Sequence, residues 1–270
     1  HNPPPQKKST MLSLQLKEKI SRLRPRRFNV YCVGAAKTGS TSLAKMLQTS
    51  YRSAHEPETE ATNQMVIDWL NHSIDQTELQ QRLIERDRRL NLEVESAHPL
   101  GYISDTLADC FPTSKFIITI REPYSWLESR LNFHNKFHPP AWEQYRDFFW
   151  TSRHTGYAPE ESCLETYGLC SLDTYLHQYA DHYSRVLSLP KYRSLLIRTS
   201  EINTSIAVIA GFLGVDRKTI EPSHSNQNSD KIEPLKEIEP SFVNAKIWQH
   251  CHKIITQYFP EQIHRYKQQH

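Results

Sequence analysis

The chain is 270 residues long and carries 33 Lys and Arg against 30 Asp and Glu, a formal charge of +3. That near balance argues against a surface that tracks nucleic acid. The length allows one large domain whose core needs no disulfides. Glycine is scarce, at 7 residues, which excludes collagen, Gly-rich linkers and low-complexity sequence. The five cysteines, Cys32, Cys110, Cys163, Cys170 and Cys251, form no C-x-x-C pair. A zinc ribbon or thioredoxin motif is therefore not expected, and a reducing, cytoplasmic setting fits best. No stretch approaches the ~18 apolar residues of a membrane span. His1–Thr10 has no apolar signal-peptide core, and it reads as an appended leader ahead of a native start at Met11.

In chain order, Met11, Leu12, Leu14, Leu16, Ile20 and Leu23 recur at helical spacing over 11–24, followed by a basic run from Arg22 to Arg27. We assign 1–27 to an N-terminal helix or arm and 28–270 to the main domain. Phe28–Val33 is a short β-rich apolar run ending at Gly34, as a buried strand should. Leu43, Met46 and Leu47 set an amphipathic helix over 38–50. Residues 58–88 predict two polar-faced helices, 90–94 a strand and 99–111 a helix. Lys115–Ile120 is the clearest buried strand, and Pro123 opens a helix to Phe133. Further helices are expected at 141–150, 172–188, 204–213 and 240–268, with a strand at 194–197. Residues 133–170 read as an irregular, aromatic-rich insertion. Strands alternating with helices predict an α/β fold with a central parallel sheet flanked by helices.

Two of the seven glycines fall in Gly34-Ala35-Ala36-Lys37-Thr38-Gly39-Ser40-Thr41-Ser42. A strand, a loop of this form and a helix together cradle an anion, because backbone N–H groups and a helix N-terminus converge on it. In nucleoside triphosphatases a Lys directly follows the second Gly. Here that place is Ser40, and the Lys stands inside the loop at position 37. A second anion motif follows the strand ending at Ile120: Arg121-Glu122-Pro123, with Ser129 two helical turns on. Arg offers a planar fork matched to phosphate oxygens, and a Ser hydroxyl at that spacing can reach the same group.

Together these segments resemble the sulfotransferase family. Lys37-Thr38-Gly39-Ser40-Thr41-Ser42 is similar to its 5′-phosphosulfate loop, with Ala36 where the family has Pro. Arg121 to Ser129 is similar to its 3′-phosphate motif. The segment from Ser194 to Val215, with its Phe212-Leu213-Gly214 element, also resembles the family. The resemblance implies a P-loop-like sulfotransferase architecture and a co-substrate, 3′-phosphoadenosine 5′-phosphosulfate (PAPS), that leaves as the bisphosphate PAP. It implies that Lys37, Thr38, Gly39, Ser40, Thr41 and Ser42 hold the 5′ end, Arg121 and Ser129 hold the 3′-phosphate, and no metal takes part. The cytosolic branch stacks a Trp on adenine where this chain has Ser42, and its Arg-Lys-Gly loop is absent. Asn226, Asn228 and Lys231 could substitute, although a solvated loop is the simpler reading.

Sulfuryl transfer needs a base for the acceptor proton. His98, in Ser96-Ala97-His98-Pro99, matches the catalytic His of the cytosolic branch, with Ser96 where that branch has Lys. Glu56, in Ala54-His55-Glu56-Pro57, matches the Glu of the carbohydrate and bacterial branches, with His55 in place of Lys. Both stay open, His98 being preferred. His250-Cys251-His252 lies on a predicted helix, where neighbours do not converge on one ion.

The expected activity is sulfuryl transfer to a hydroxyl or amine of a small-molecule acceptor, in the manner of specialised-metabolite enzymes. The other readings are a carbohydrate or glycolipid sulfotransferase, a P-loop kinase-like phosphotransferase, and a nucleotide-binding module without activity. Tyr102, Trp126, Phe133, Phe137, Trp142, Phe148, Phe149, Trp150 and Tyr157 are expected to offer an apolar acceptor wall. No nucleic-acid partner is expected.

Overall fold

A computed structural model describes residues 24–136, 139–223 and 232–267. The expected helix at 11–24 and the polar loop with Asn226, Asn228 and Lys231 lie almost wholly outside the described residues, as does Phe137. Five strands pair in parallel: β1 (Val30–Cys32), β2 (Ser53–His55), β3 (Val94–Ser96), β4 (Lys115–Ile120) and β5 (Ser194–Arg198). Their order is β2-β3-β1-β4-β5. The helices are α1 (Ser40–Gln48), α2 (Thr59–Leu70), α3 (Gln76–Leu90), α4 (Ser104–Cys110), α5 (Pro123–Lys136), α6 (Glu143–Phe149), α7 (Cys163–Thr166), α8 (Leu172–Val186), α9 (Ile206–Leu213), α10 (Pro240–Tyr258) and α11 (Ile263–Lys267).

A parallel sheet must be covered on both faces, and the strand residues divide accordingly. Tyr31, Phe116, Ile118 and Ile120 join one core, with Leu79 and Leu83 of α3 and Tyr179 and Tyr183 of α8. Val30, Cys32 and Ile117 join the other, with Leu43 and Met46 of α1 and Ile209 and Leu213 of α9. The alternation is the two-residue period of an extended chain. The chain leaves β1 toward the β2 edge and leaves β4 toward the β5 edge. Their carboxyl ends therefore open a crevice where the connections diverge, the usual ligand position in such sheets.

The strand expected at 90–94 lies instead at Val94–Ser96. Leu90 is the last residue of α3 and continues the buried stripe of Leu79 and Leu83, while Asn91, at φ 45°, ends the helix. The edge strand β2 escaped the sequence reading, because Ser53-Ala54-His55 has no apolar run to announce it. The helix expected over 240–268 breaks at Phe259-Pro260, where Pro has no N–H to continue it. Among the described residues of the stretch read as irregular, the end of α5, α6 within the helix expected at 141–150, and α7 supply regular structure.

Candidate active site

The loop between β1 and α1 is shaped by its sequence. A Cβ on Gly34 would lie 2.1 Å from Thr119 Oγ1, so only glycine lets the loop pass this close to β4. Gly39 sits at φ 102° as the N-cap of α1. Lys37 is at φ 69°, a left-handed conformation that a Lys holds only when its surroundings fix it. They do so through main-chain carbonyls. Trp126 Nε1 donates to Ala36 O at 2.9 Å, Arg121 Nη1 to Lys37 O at 3.3 Å and Thr199 Oγ1 to Thr38 O at 2.7 Å. Thr38 is fully buried and bonds Ala35 O and Thr119 Oγ1. Its side chain thus braces the loop and does not face the cavity. Ser96 Oγ donates to Ser40 O at 2.8 Å, so the Ser that replaces a family Lys is a brace as well. At Ser40, Thr41 and Ser42 the first-turn amides of α1 have no acceptor inside the helix.

Burial lowers the Lys37 ammonium below its ordinary value, and the nearby Arg130 and Arg121 push the same way. Its Nζ rests 4.6 Å from the centroid of the Phe133 ring. Arg121, at the end of β4, donates through Nε to Ser125 Oγ at 3.2 Å. Glu122 accepts from the amides of Tyr124 and Ser125 and from Tyr266 Oη, capping α5. Ser129 faces the same cavity as Arg121. Ser125, one turn earlier, is a hydroxyl that the motif spacing did not single out.

His98 and Glu56, weighed as rival bases, are partners: His98 Nδ1 and Glu56 Oε1 are 2.7 Å apart. Parallel pairing brings them together. His55 stands opposite Ser96 in the β2–β3 register, so the residues just beyond each strand are neighbours. Burial pushes the His98 imidazole below its ordinary value, with the Glu56 contact pulling against it. Burial disfavours the Glu56 charge, but His98, His55 and Arg130 hold its carboxyl below the ordinary value. A neutral His98 beside an ionised Glu56 carries its proton on Nδ1. His98 Nε2 is buried and has no hydrogen-bond partner among the described residues, and the ring stacks on Trp142 with centroids 5.0 Å apart. His55 Nε2 lies 3.1 Å from Ser40 Oγ and 3.2 Å from Thr41 Oγ1, which ties it to the first turn of α1.

These groups line one cavity of about 800 Å³. Lys37, Gly39, Ser40, Thr41, Ser42, His55, Glu56, His98, Arg121 and Ser129 all border it. Several side chains absent from the sequence reading also do so, among them Arg130, His134, Tyr145 and Arg146. Of the expected aromatic wall, Phe133 and Trp142 line the cavity. Tyr102, Trp126, Phe149 and Trp150 are buried core residues, while Phe148 and Tyr157 pack partly buried against the core. An aromatic-rich sequence shows which residues want burial, not which of them border a cavity. Among the described residues no group of three or more His, Cys, Asp or Glu could hold a metal, and no helix is long and apolar enough to cross a membrane.

A sulfotransferase domain model matches residues 29–231, and the chain belongs to that family. No curated protein matches. Among solved structures, a sulfotransferase from Alicyclobacillus acidocaldarius aligns at 20% identity, covering 90% of this chain and 95% of that one, with a TM-score of 0.46. A sulfotransferase domain from the curacin biosynthetic pathway aligns at 14% identity, covering 78% and 82%, with a TM-score of 0.40.

Proposed function

We propose that this chain transfers a sulfuryl group from PAPS to a hydroxyl or amine of a small-molecule acceptor, within a single domain over 28–270. The observation that carries the reading is one cavity bordered by Lys37, by Arg121 with Ser129, and by His98 and Glu56. The residues fit the donor. The first-turn amides at 40–42 suit a 5′-phosphate, and Arg121 with Ser129 suits a 3′-phosphate. The donor supplies an activated sulfuryl group, and the chain orients and moves protons and charge around it. His98 Nε2 takes the acceptor proton as the new S–O bond forms, while Glu56 fixes the tautomer through Nδ1. The bridging S–O bond breaks in line with it, and its electron pair goes to the departing phosphate oxygen. Lys37 neutralises that oxygen. His55, held by Ser40 and Thr41, positions the loop. A cavity of about 800 Å³ leaves space for a small acceptor beside the nucleotide.

Thermal stabilisation by PAP, followed by sulfate transfer from PAPS to an acceptor panel, tests the proposal. PAP at 100 times its Kd should add about 2.7 kcal/mol of stability. Equal stabilisation by ATP·Mg²⁺ and none by PAP would reject it in favour of a phosphotransferase. PAP binding with no transfer to any acceptor would leave a binding module, and transfer to saccharides alone would move the acceptor to carbohydrate.

A further inference from the structure

The cavity holds a further cation that the scheme above does not use. Arg130, the residue after Ser129 on α5, is 5% exposed and borders the cavity. Among the described residues its Nε has no hydrogen-bond partner and its guanidinium makes no ion pair. It lies over aromatic rings instead, 4.7 Å from the Trp150 centroid and 5.7 Å from that of Phe133. Rings offset part of a guanidinium's desolvation, but they cannot satisfy its N–H donors. A buried charge without a counter-ion is costly and is ordinarily paired. Glu56, the cavity carboxylate whose charge acts on Arg130, is engaged by His98. Burial pulls the Arg130 value down, yet an arginine stays protonated at neutral pH.

His98 and Arg130 therefore border one cavity. His98 Nε2 can accept a proton, and Arg130 can donate to an anion. We propose that Arg130 binds a carboxylate on the acceptor, so that the preferred substrate is a hydroxy acid with a flat, apolar body and not a neutral alcohol. This rests on the sulfuryl-transfer reading above. A planar fork matches a carboxylate in two parallel bonds. One guanidinium balances the single negative charge of a carboxylate. Trp142 and Tyr145, stacked and edge-on against His98, supply the faces for the apolar body.

The test compares para-hydroxybenzoate, para-hydroxyphenylacetate and para-hydroxyphenylpropionate with their primary amides, at saturating PAPS. The amide keeps shape and loses charge, and the series varies reach. At least one acid should exceed its amide roughly tenfold or more in kcat/KM, as expected for a hydrogen-bonded charge. R130M should reduce that preference to within about threefold, through KM. R130Q keeps polarity should R130M fold poorly, and PAP-induced thermal stabilisation shows either variant to be folded. No acid preference in the natural protein overturns the proposal. So does a variant that lowers kcat alike for acid and amide at unchanged KM, which would place Arg130 on the sulfuryl group. Calorimetry of the acids with the protein–PAP complex reads Arg130 without turnover. If no phenol is sulfated but R130M abolishes acid binding, the transfer reading fails and the Arg130 site stands; if the natural protein binds no acid, the Arg130 site fails.

Discussion

The walls we propose for the donor and for the acceptor are held in opposite ways. On the donor wall, Trp126, Arg121, Thr199 and Ser96 spend their polar atoms on the carbonyls of Ala36, Lys37, Thr38 and Ser40. The loop is thereby fixed, and main-chain N–H groups are left to meet an anion. On the acceptor wall, His98 Nε2 and Arg130 Nε are buried and unbonded among the described residues. A nucleotide needs a preorganised cradle whose shape costs nothing to assemble at the moment of reaction. An acceptor is recognised by polar atoms held ready in an apolar surround, and leaving them unpaired penalises every ligand that cannot satisfy them.

The contrast can be broken at measurable points. His98→Ala removes the proposed base and should lower kcat by about a hundredfold to ten-thousandfold with little change in PAP affinity. An equal loss of PAP affinity by calorimetry would mean that the two walls are not separable. Lys37→Ala should cost roughly a hundredfold or more in kcat, as for other removed charge-stabilising donors. A variant at full turnover would take the leaving oxygen away from Lys37. Arg121→Ala should weaken PAP by about tenfold to a hundredfold and leave the relative preference among acceptors unchanged.

The smallest effect is on the pH profile. The His98 base must be neutral, so activity should fall as pH drops through its value, which burial sets below the ordinary ~6.5. Lys37 must be charged, so activity should fall again as pH rises through a value below the ordinary ~10.4. The Glu56 contact raises His98 against its burial. Glu56→Gln should therefore shift the acid limb to lower pH, besides lowering kcat by loosening the ring. An unmoved limb would separate Glu56 from the titrating group.

That Lys37 and Arg121 border one cavity fits a sequence reading in which each motif is contiguous. Gly34 to Ser42 is one loop, and Arg121 to Ser129 is one turn followed by a helix, so spacing alone places each group. The apolar runs that became β1, β4 and β5 announced themselves for the same local reason. The polar edge strand β2 did not, and with it went the relation between His98 and Glu56. As separate motifs the two residues competed for one role. The β2–β3 register, with His55 opposite Ser96, sets the turns after those strands side by side and makes the residues one hydrogen-bonded pair.

Arg130 was hidden for a related reason. On a helix it is one more basic residue, and only the packing of Trp150 and Phe133 around it shows a charge buried without a counter-ion among the described residues. Of the aromatic list only Phe133 and Trp142 are among the described residues that line the cavity, since composition favours burial without saying which ring borders a cavity. What the sequence determined by itself was the short-range chemistry, the anion loop with its displaced Lys and the Arg that closes on it. The base pair and the unpaired guanidinium were decided by the tertiary structure, because each depends on which distant segments share a strand edge or a wall, and strand register and packing are not local properties of the chain.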